Sequence, residues 1–231
     1  YTAQATDKEG VSFTLAGRLT FAVVIIEYTV TFKDHDGIVL ATQTVAHGSA
    51  ATAPADPVRE GYAFTGWDKD FSSVTADLVV TANYNINTYT VSFDVDGGSA
   101  VASQSVNWGE TATRPSDPTK EGHIFAGWYA DEEFTTAFDF GTEIKGDTKI
   151  YAKWAINTYT LTYTAGEGGN ITGNVTQTVD YQGSGTEVIA APNAGYHFVK
   201  WSDDVTTAAR TDSNVTAALS VTAEFAINEY T

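Results

Sequence analysis

The phrase "EGYAFTGW", Glu60 to Trp67, returns as "EGHIFAGW" from Glu121 to Trp128 and as "AGYHFVKW" from Ala194 to Trp201. A chain that carries one phrase three times is expected to fold as a series of small units rather than around one large core. The frame around the phrase is equally regular. Units open at Tyr28 ("YTVTF"), Tyr89 ("YTVSF") and Tyr159 ("YTLTY"), and the opening Tyr and the Trp lie 39, 39 and 42 residues apart. Each unit closes on an alternating stretch, "VVTANY", "KIYAKW" or "SVTAEF", whose last aromatic (Tyr84, Trp154, Phe225) stands five residues before the next opening Tyr. The boundaries that follow are 28–88, 89–158 and 159–229, with 1–27 a partial preceding repeat or capping strand segment and 230–231 the start of a further repeat.

Inside each unit the hydrophobic period is two. Tyr28, Val30 and Phe32 face one way and Thr29 and Thr31 the other, the pattern of a half-buried strand. The turn "DHDG" leads to "TQTV" at Thr42, matched by "SQSV" at Ser103 and "TQTV" at Thr176, which predicts a hairpin. The Trp phrase then reads as a third strand, with Phe64 and Gly66, and Phe125 and Gly127, on alternate positions. After Trp the length varies: 17, 26 and 24 residues separate it from the closing aromatic. The second unit's excursion, with Phe134, Ala137, Phe138 and Phe140, has apolar residues enough for one short helix or a wide loop.

Taken together, "YTVTF", "QTV", "PADPVREGYAFTGW" and a closing "VTANY" resemble the Listeria–Bacteroides repeat, also called the internalin B-repeat type. The third unit, which keeps "GYHFVKWSDD" but has only Pro192 and inserts "AGEGGNITGN", is similar to its divergent branch. The resemblance implies a small β-grasp-like fold and a place in stalks or adhesion at the bacterial cell surface, and it brings no catalytic residues. The fold expected is β-rich α+β, as tandem small β-grasp-like repeats in an elongated array.

Composition narrows the chemistry. Twelve Lys and Arg against 29 Asp and Glu leave a formal charge of −17, which repels nucleic acid and anionic membranes. No cysteine is present, so disulfides, thiolate metal sites and cysteine nucleophiles are out of reach. No apolar run approaches the length of a membrane span, and the chain, without methionine and opening at Tyr1, reads as an excised portion of a longer extracellular one. The turns "DHDG" and "DVDGG" begin like a calcium loop but lack its later ligands, and Asp-Gly suits a hairpin turn for backbone reasons alone. His35, His47, His123 and His197 have no metal-pair spacing, and Asp203 and Asp204 read as solvated turn residues. With no nucleophile elbow, phosphate loop or zinc motif, an enzyme is not expected, and neither is a cofactor or metal.

Trp67, Trp128 and Trp201 are expected to be core anchors rather than sugar platforms, because a unit of about 60–70 residues without disulfides needs a large aromatic in its core. Trp108 and Tyr129, without aromatic counterparts in the other units, are the candidate ligand contacts for a host glycan or protein. The segments "NINT" and "AINT" between units hold no Gly or Pro, and Ile86 and Ile156 are expected to be buried there as structural anchors between neighbouring repeats. A monomer that serves as a stalk or spacer is the function these features favour, with adhesion through exposed aromatics the alternative.

Overall fold

A computed structural model describes residues 3–6, 12–15 and 24–229. The segment 1–27 lies largely outside them and contributes one antiparallel pair, β1 (Ala3–Thr6) with β2 (Ser12–Leu15). By contact the chain divides into two compact units, Tyr1–Asn87 and Thr88–Thr231, the second of which holds repeats two and three.

The first repeat is a four-stranded sheet of β3 (Glu27–Lys33), β4 (Val39–Ala46), β5 (Tyr62–Trp67) and β6 (Leu78–Ile86), in the order β4-β3-β6-β5. In the second unit, β7 (Thr88–Asp94), β8 (Gln104–Asn107), β9 (His123–Tyr129) and β10 (Thr148–Ile156) repeat that order as β8-β7-β10-β9. The third repeat follows with β11 (Thr158–Ala165), β13 (Thr176–Asp180), β15 (Tyr196–Trp201) and β17 (Leu219–Ile227), ordered β13-β11-β17-β15. Its insertions add a small second sheet of β12 (Gly169–Thr172), β14 (Val188–Pro192) and β16 (Ala209–Arg210). Each repeat has its own core, gathered around Val30 and Phe32, around Val91 and Ile150, and around Leu161 and Val221.

Two pairings define every repeat. The opening strand is antiparallel to the second strand, as the hairpin turns require, and parallel to the closing strand: Val30 pairs with Leu78, Val91 with Thr148 and Leu161 with Leu219. The parallel pair is possible because the intervening chain crosses over and returns.

Of the short helix or wide loop expected in the second unit, the helix is not formed: among the described residues every regular element is a strand, so the fold is all-β and not the α+β expected. Residues 131–140 form the wide loop instead. The Asp131 carboxylate accepts the Thr135 and Thr136 amides, both at 2.8 Å, which holds the chain in a tight turn, and an isolated bridge joins Tyr129 to Ala137. Local side-chain capping of this kind competes with a helix of so few residues.

A β-bulge explains the wording of the repeated phrase. In a regular strand Phe64 and Trp67, three apart, would face opposite sides of the sheet. Here Phe64 pairs with Tyr84 but Gly66 with Asn83, so Thr65 is an extra residue, and Gly66 takes φ +124°. The inserted residue turns Trp67 back to the core side, where its ring meets Phe64 edge-on at 5.4 Å. The same skip at Ala126 and at Val199 brings Phe125 to Trp128 (5.2 Å) and Phe198 to Trp201 (6.0 Å).

Candidate functional site

Trp128 is 4% exposed and Trp201 fully buried, whereas Trp67 is half-buried. Their rings close T-shaped aromatic clusters against the opening strand, at Phe32 (4.9 Å), Phe93 (5.1 Å) and Tyr163 (5.9 Å). Trp201 Nε1 donates to the Thr207 carbonyl at 3.0 Å, while buried Trp128 Nε1 has no partner.

The glutamine of each "QTV" or "QSV" motif has a role the sequence did not suggest. Gln43 donates to the Thr52 carbonyl and accepts the Thr52 amide (2.6 and 2.9 Å), Gln104 does the same at Thr113 (2.7 and 2.8 Å), and Gln177 at Thr186 (3.0 and 2.6 Å). A planar amide nine residues back thus serves as a strand partner for the connecting segment, satisfying backbone groups that no ladder reaches. Three occurrences at one spacing were the available signal.

The turn "DHDG" brings Asp34, His35 and Asp36 ligand atoms within 4.8 Å of one another, but its carboxylates are engaged. Asp34 accepts the Tyr84 hydroxyl at 2.7 Å and the His35 amide at 2.7 Å, and Asp36 accepts the Ile38 amide at 3.0 Å. In the second repeat Asp94 pairs with Lys149 (2.7 Å) and Asp96 with Lys120 (2.9 Å). The bond from Tyr84 holds the Asp34 carboxyl below its usual range, and burial together with Asp34 pushes the Tyr84 phenol up to about 12. Raised above its ordinary value of about 10, the phenol contributes stability that is intact below pH ~10 and is lost as pH rises towards 12. Alkaline titration followed by phenolate absorbance and amide exchange should show repeat one loosening in that window, and Tyr84→Phe should flatten the response. An ordinary titration of Tyr84 in the folded chain would refute the assignment.

The third repeat carries an ion network around a buried arginine. Arg210, 8% exposed, forks onto Asp203 (2.9 and 3.0 Å) and onto Asp212 (3.0 and 2.6 Å), and the Tyr163 hydroxyl donates to Asp212 at 2.7 Å. The guanidinium stands 5.1 Å over the Trp201 ring. Hydrogen bonds from Arg210 hold the Asp203 carboxyl low, and burial together with Asp212 raises the Tyr163 phenol. Asp203 is an exposed turn residue, as its sequence suggested, that also serves as an ion partner of buried Arg210. Asp204, with φ +67°, is exposed as well and pairs with Lys200 at 2.7 Å.

Between repeats two and three the connecting isoleucine is not the packed element. Ile156 is 42% exposed, and Ile86 at the end of β6 is 37% exposed. The closing strand of repeat two runs past the residues of its core, and Ile156 at its end is not among them. Asn157 joins the two repeats instead: its amide donates to the Gly122 carbonyl at 2.8 Å, and its carbonyl accepts the Tyr181 amide at 2.8 Å. The Tyr181 ring lies against Gly122, whose φ of +69° and missing Cβ make the space, and the Tyr181 hydroxyl donates to Glu121 Oε1 at 2.7 Å.

This placement corrects the reading of Trp108. It directly follows β8, as Tyr181 follows β13 and His47 follows β4, so it does have aromatic counterparts at the repeat's edge. Trp108 is half-buried with the Lys145 ammonium 5.5 Å from its ring. Tyr129 is half-buried against Phe134 at 5.7 Å, with Lys153 at 4.9 Å, and Phe134 lines a shallow cleft with Asp94, Asp96, Glu132 and Tyr151.

Tandem, cysteine-free all-β repeats, each closed by a parallel pair of first and last strands, are the class defined by these features. The chain belongs to the Listeria–Bacteroides repeat domain family, which matches residues 28–87 and 89–153, and the divergent InlB B-repeat domain matches residues 159–229. A protein of Evansella cellulosilytica that is provisionally assigned to the membrane is 34% identical over 192 residues, 77% of this chain and 29% of the relative. Internalin H of Listeria monocytogenes is 34% identical over 143 residues, covering 56% of this chain and 25% of the internalin. The chain thus spans under a third of the length of these relatives. Among solved structures, the streptococcal SHIRT domains 3-4 of a cell surface protein align at 20% identity over 56% of this chain and 98% of theirs, with a TM-score of 0.28. These are repeats of the kind found in cell-surface proteins. No helix among the described residues is long and apolar enough to cross a membrane.

Proposed function

We propose that the repeats are a tension-resisting spacer in an extracellular bacterial surface protein, holding a distal domain away from the cell. The observation that supports this is the parallel pairing of the first and last strands in every repeat: four residue pairs in the first, four in the second and five in the third. The chain enters a repeat at one end of this pair and leaves at the opposite end. Tension between neighbours therefore shears the pair along its length, loading its hydrogen bonds together instead of unzipping them in turn. The strand order, with an antiparallel edge strand on each side of the parallel pair, also supports a β-grasp-type unit in which a loop replaces the crossing helix. The partners in this reading are neighbouring repeats of the same chain, with no nucleic acid, cofactor or catalysis involved.

Single-molecule pulling tests it directly, and a chain without cysteine allows paired cysteine handles at any chosen positions. Handles flanking repeat two should give unfolding forces several-fold above those of handles that peel β9 from β10. Equal forces in the two directions would remove the basis of the spacer reading. Adhesion has one observation in its favour, the cleft beside Phe134. Specific retention on a glycan array that is abolished by Tyr129→Ala would establish that reading instead.

A further inference from the structure

Repeat three presents the same cradle that repeat two uses to hold Tyr181. Gly195 stands where Gly122 stands in the phrase, with φ +82° against +69°, and it accepts the Asn228 amide at 2.8 Å as Gly122 accepts that of Asn157. The difference lies in what covers it. A methyl group on Gly122 would fall inside the Tyr181 ring, whereas one on Gly195 would meet nothing within 4 Å. Around the open glycine lie Ala194, His197 and Ile227, all exposed, with His197 Nδ1 3.0 Å from Asn228 Oδ1.

We propose that the Gly195 face is a docking site for the aromatic residue that follows the second strand of another repeat of this family, joined in tandem. The precedent is within the molecule: backbone conformation, carbonyl acceptor and asparagine are those of the occupied cradle. Chemistry narrows the occupant further. At the occupied site Glu121 accepts the tyrosine hydroxyl, and at the open one Ala194 offers no acceptor, so a buried phenol would lose a hydrogen bond there. The open site therefore holds its occupant by the ring alone, a part that Trp108 of a following copy can supply. This deepens the reading of the chain as a repeat array but does not need the repeats to bear tension, so weak forces in the pulling experiment would leave it standing.

The test extends the full chain after Glu229 with a copy of residues 89–158, which places the copy's opening Tyr two residues beyond Asn228, the spacing of Asn157 and Tyr159. Amide exchange at Asn228 should slow at least ~10-fold on extension, about 1.4 kcal/mol of added protection. The gain should vanish when the copy's Trp108 is changed to Ala. Changing that residue to Tyr should keep the gain, and adding Ala194→Glu to the Tyr version should enlarge it by rebuilding the acceptor of the occupied site. Gly195→Val, compared with and without the extension, should abolish the gain in a repeat whose circular dichroism shows it still folded. Unchanged Asn228 exchange on extension would overturn the proposal. So would concentration-dependent protection of Asn228 in the unextended chain, which would assign the cradle to a second copy.

Discussion

Trp128→Ala is expected to unfold the second repeat while leaving the first intact. The indole is 4% exposed and carries contacts to both Phe93 and Phe125, so truncation removes a large apolar surface and leaves a cavity that strands on a fixed ladder cannot collapse to fill. Such losses run to about 3–5 kcal/mol. A unit of this size has on the order of 3–10 kcal/mol in total, so a fall in melting temperature of more than ~10 °C, or no fold at all, is the expected result. Amide exchange resolved by repeat is the measurement, since a single melting curve would blend three cores. Trp128→Phe should recover part of the loss, because it keeps an aromatic edge and removes an indole N–H that has no acceptor. Trp201→Phe should recover less, having broken the bond to Thr207. A Trp128→Ala protein that remained folded and had lost retention on a glycan array would make this tryptophan a binding platform.

Arg210→Ala should damage the third repeat less severely and by a different route. Removing the guanidinium leaves the Asp203 and Asp212 carboxylates facing one space without a counter-charge, next to a fully buried indole. Breaking a fully buried pair from one side costs about 3–5 kcal/mol, and the cost here is smaller because water reaches both carboxylates, 35% and 21% exposed at the side chain. Arg210→Lys should recover only part, since an ammonium cannot fork onto two carboxylates at once. Added salt should change the wild-type stability of this repeat little, because the guanidinium is shielded from mobile ions. Acid acts on the same network with a definite sign. The Asp203 carboxyl is held below its ordinary value by Arg210, so its contribution is present above about pH 4 and is lost as pH falls through the lowered folded value. If Arg210→Ala melted with the wild type, the network would be ornamental to stability.

The equivalence of the three repeats extends to devices that differ in chemistry. Where the first repeat ties its closing aromatic to the hairpin turn by Tyr84 and Asp34, the second uses Trp154 Nε1 to the Val95 carbonyl at 3.0 Å. In the third, Gly169 lies against the Phe225 ring instead. The position is kept aromatic in all three, and the polar partner follows from which ring occupies it.

Much of this architecture was legible in the sequence because it is written in short-range patterns. Period-two alternation at Tyr28–Phe32 and its copies marks strands, Asp-Gly turns mark hairpins, and fixed spacing from opening Tyr to Trp marks the repeats. What the sequence could not determine depends on residues far apart along the chain. Alternation alone puts Phe64 and Trp67 on opposite faces, and only the register against Tyr84 and Asn83 reveals the bulge that unites them. The junction isoleucine looked like a plug because it is apolar. Whether a strand's last residue is covered depends on where the neighbouring core ends, and here Asn157 and Tyr181 make the connection 35 and 60 residues from the Gly122 and Glu121 they bind. Arg210, a lone cation among threonines in "TTAARTDSN", gave no local sign of burial. Its charge is tolerated only because the fold brings Asp203, Asp212 and Tyr163 around it, a compensation that exists in three dimensions and has no counterpart in the order of the residues.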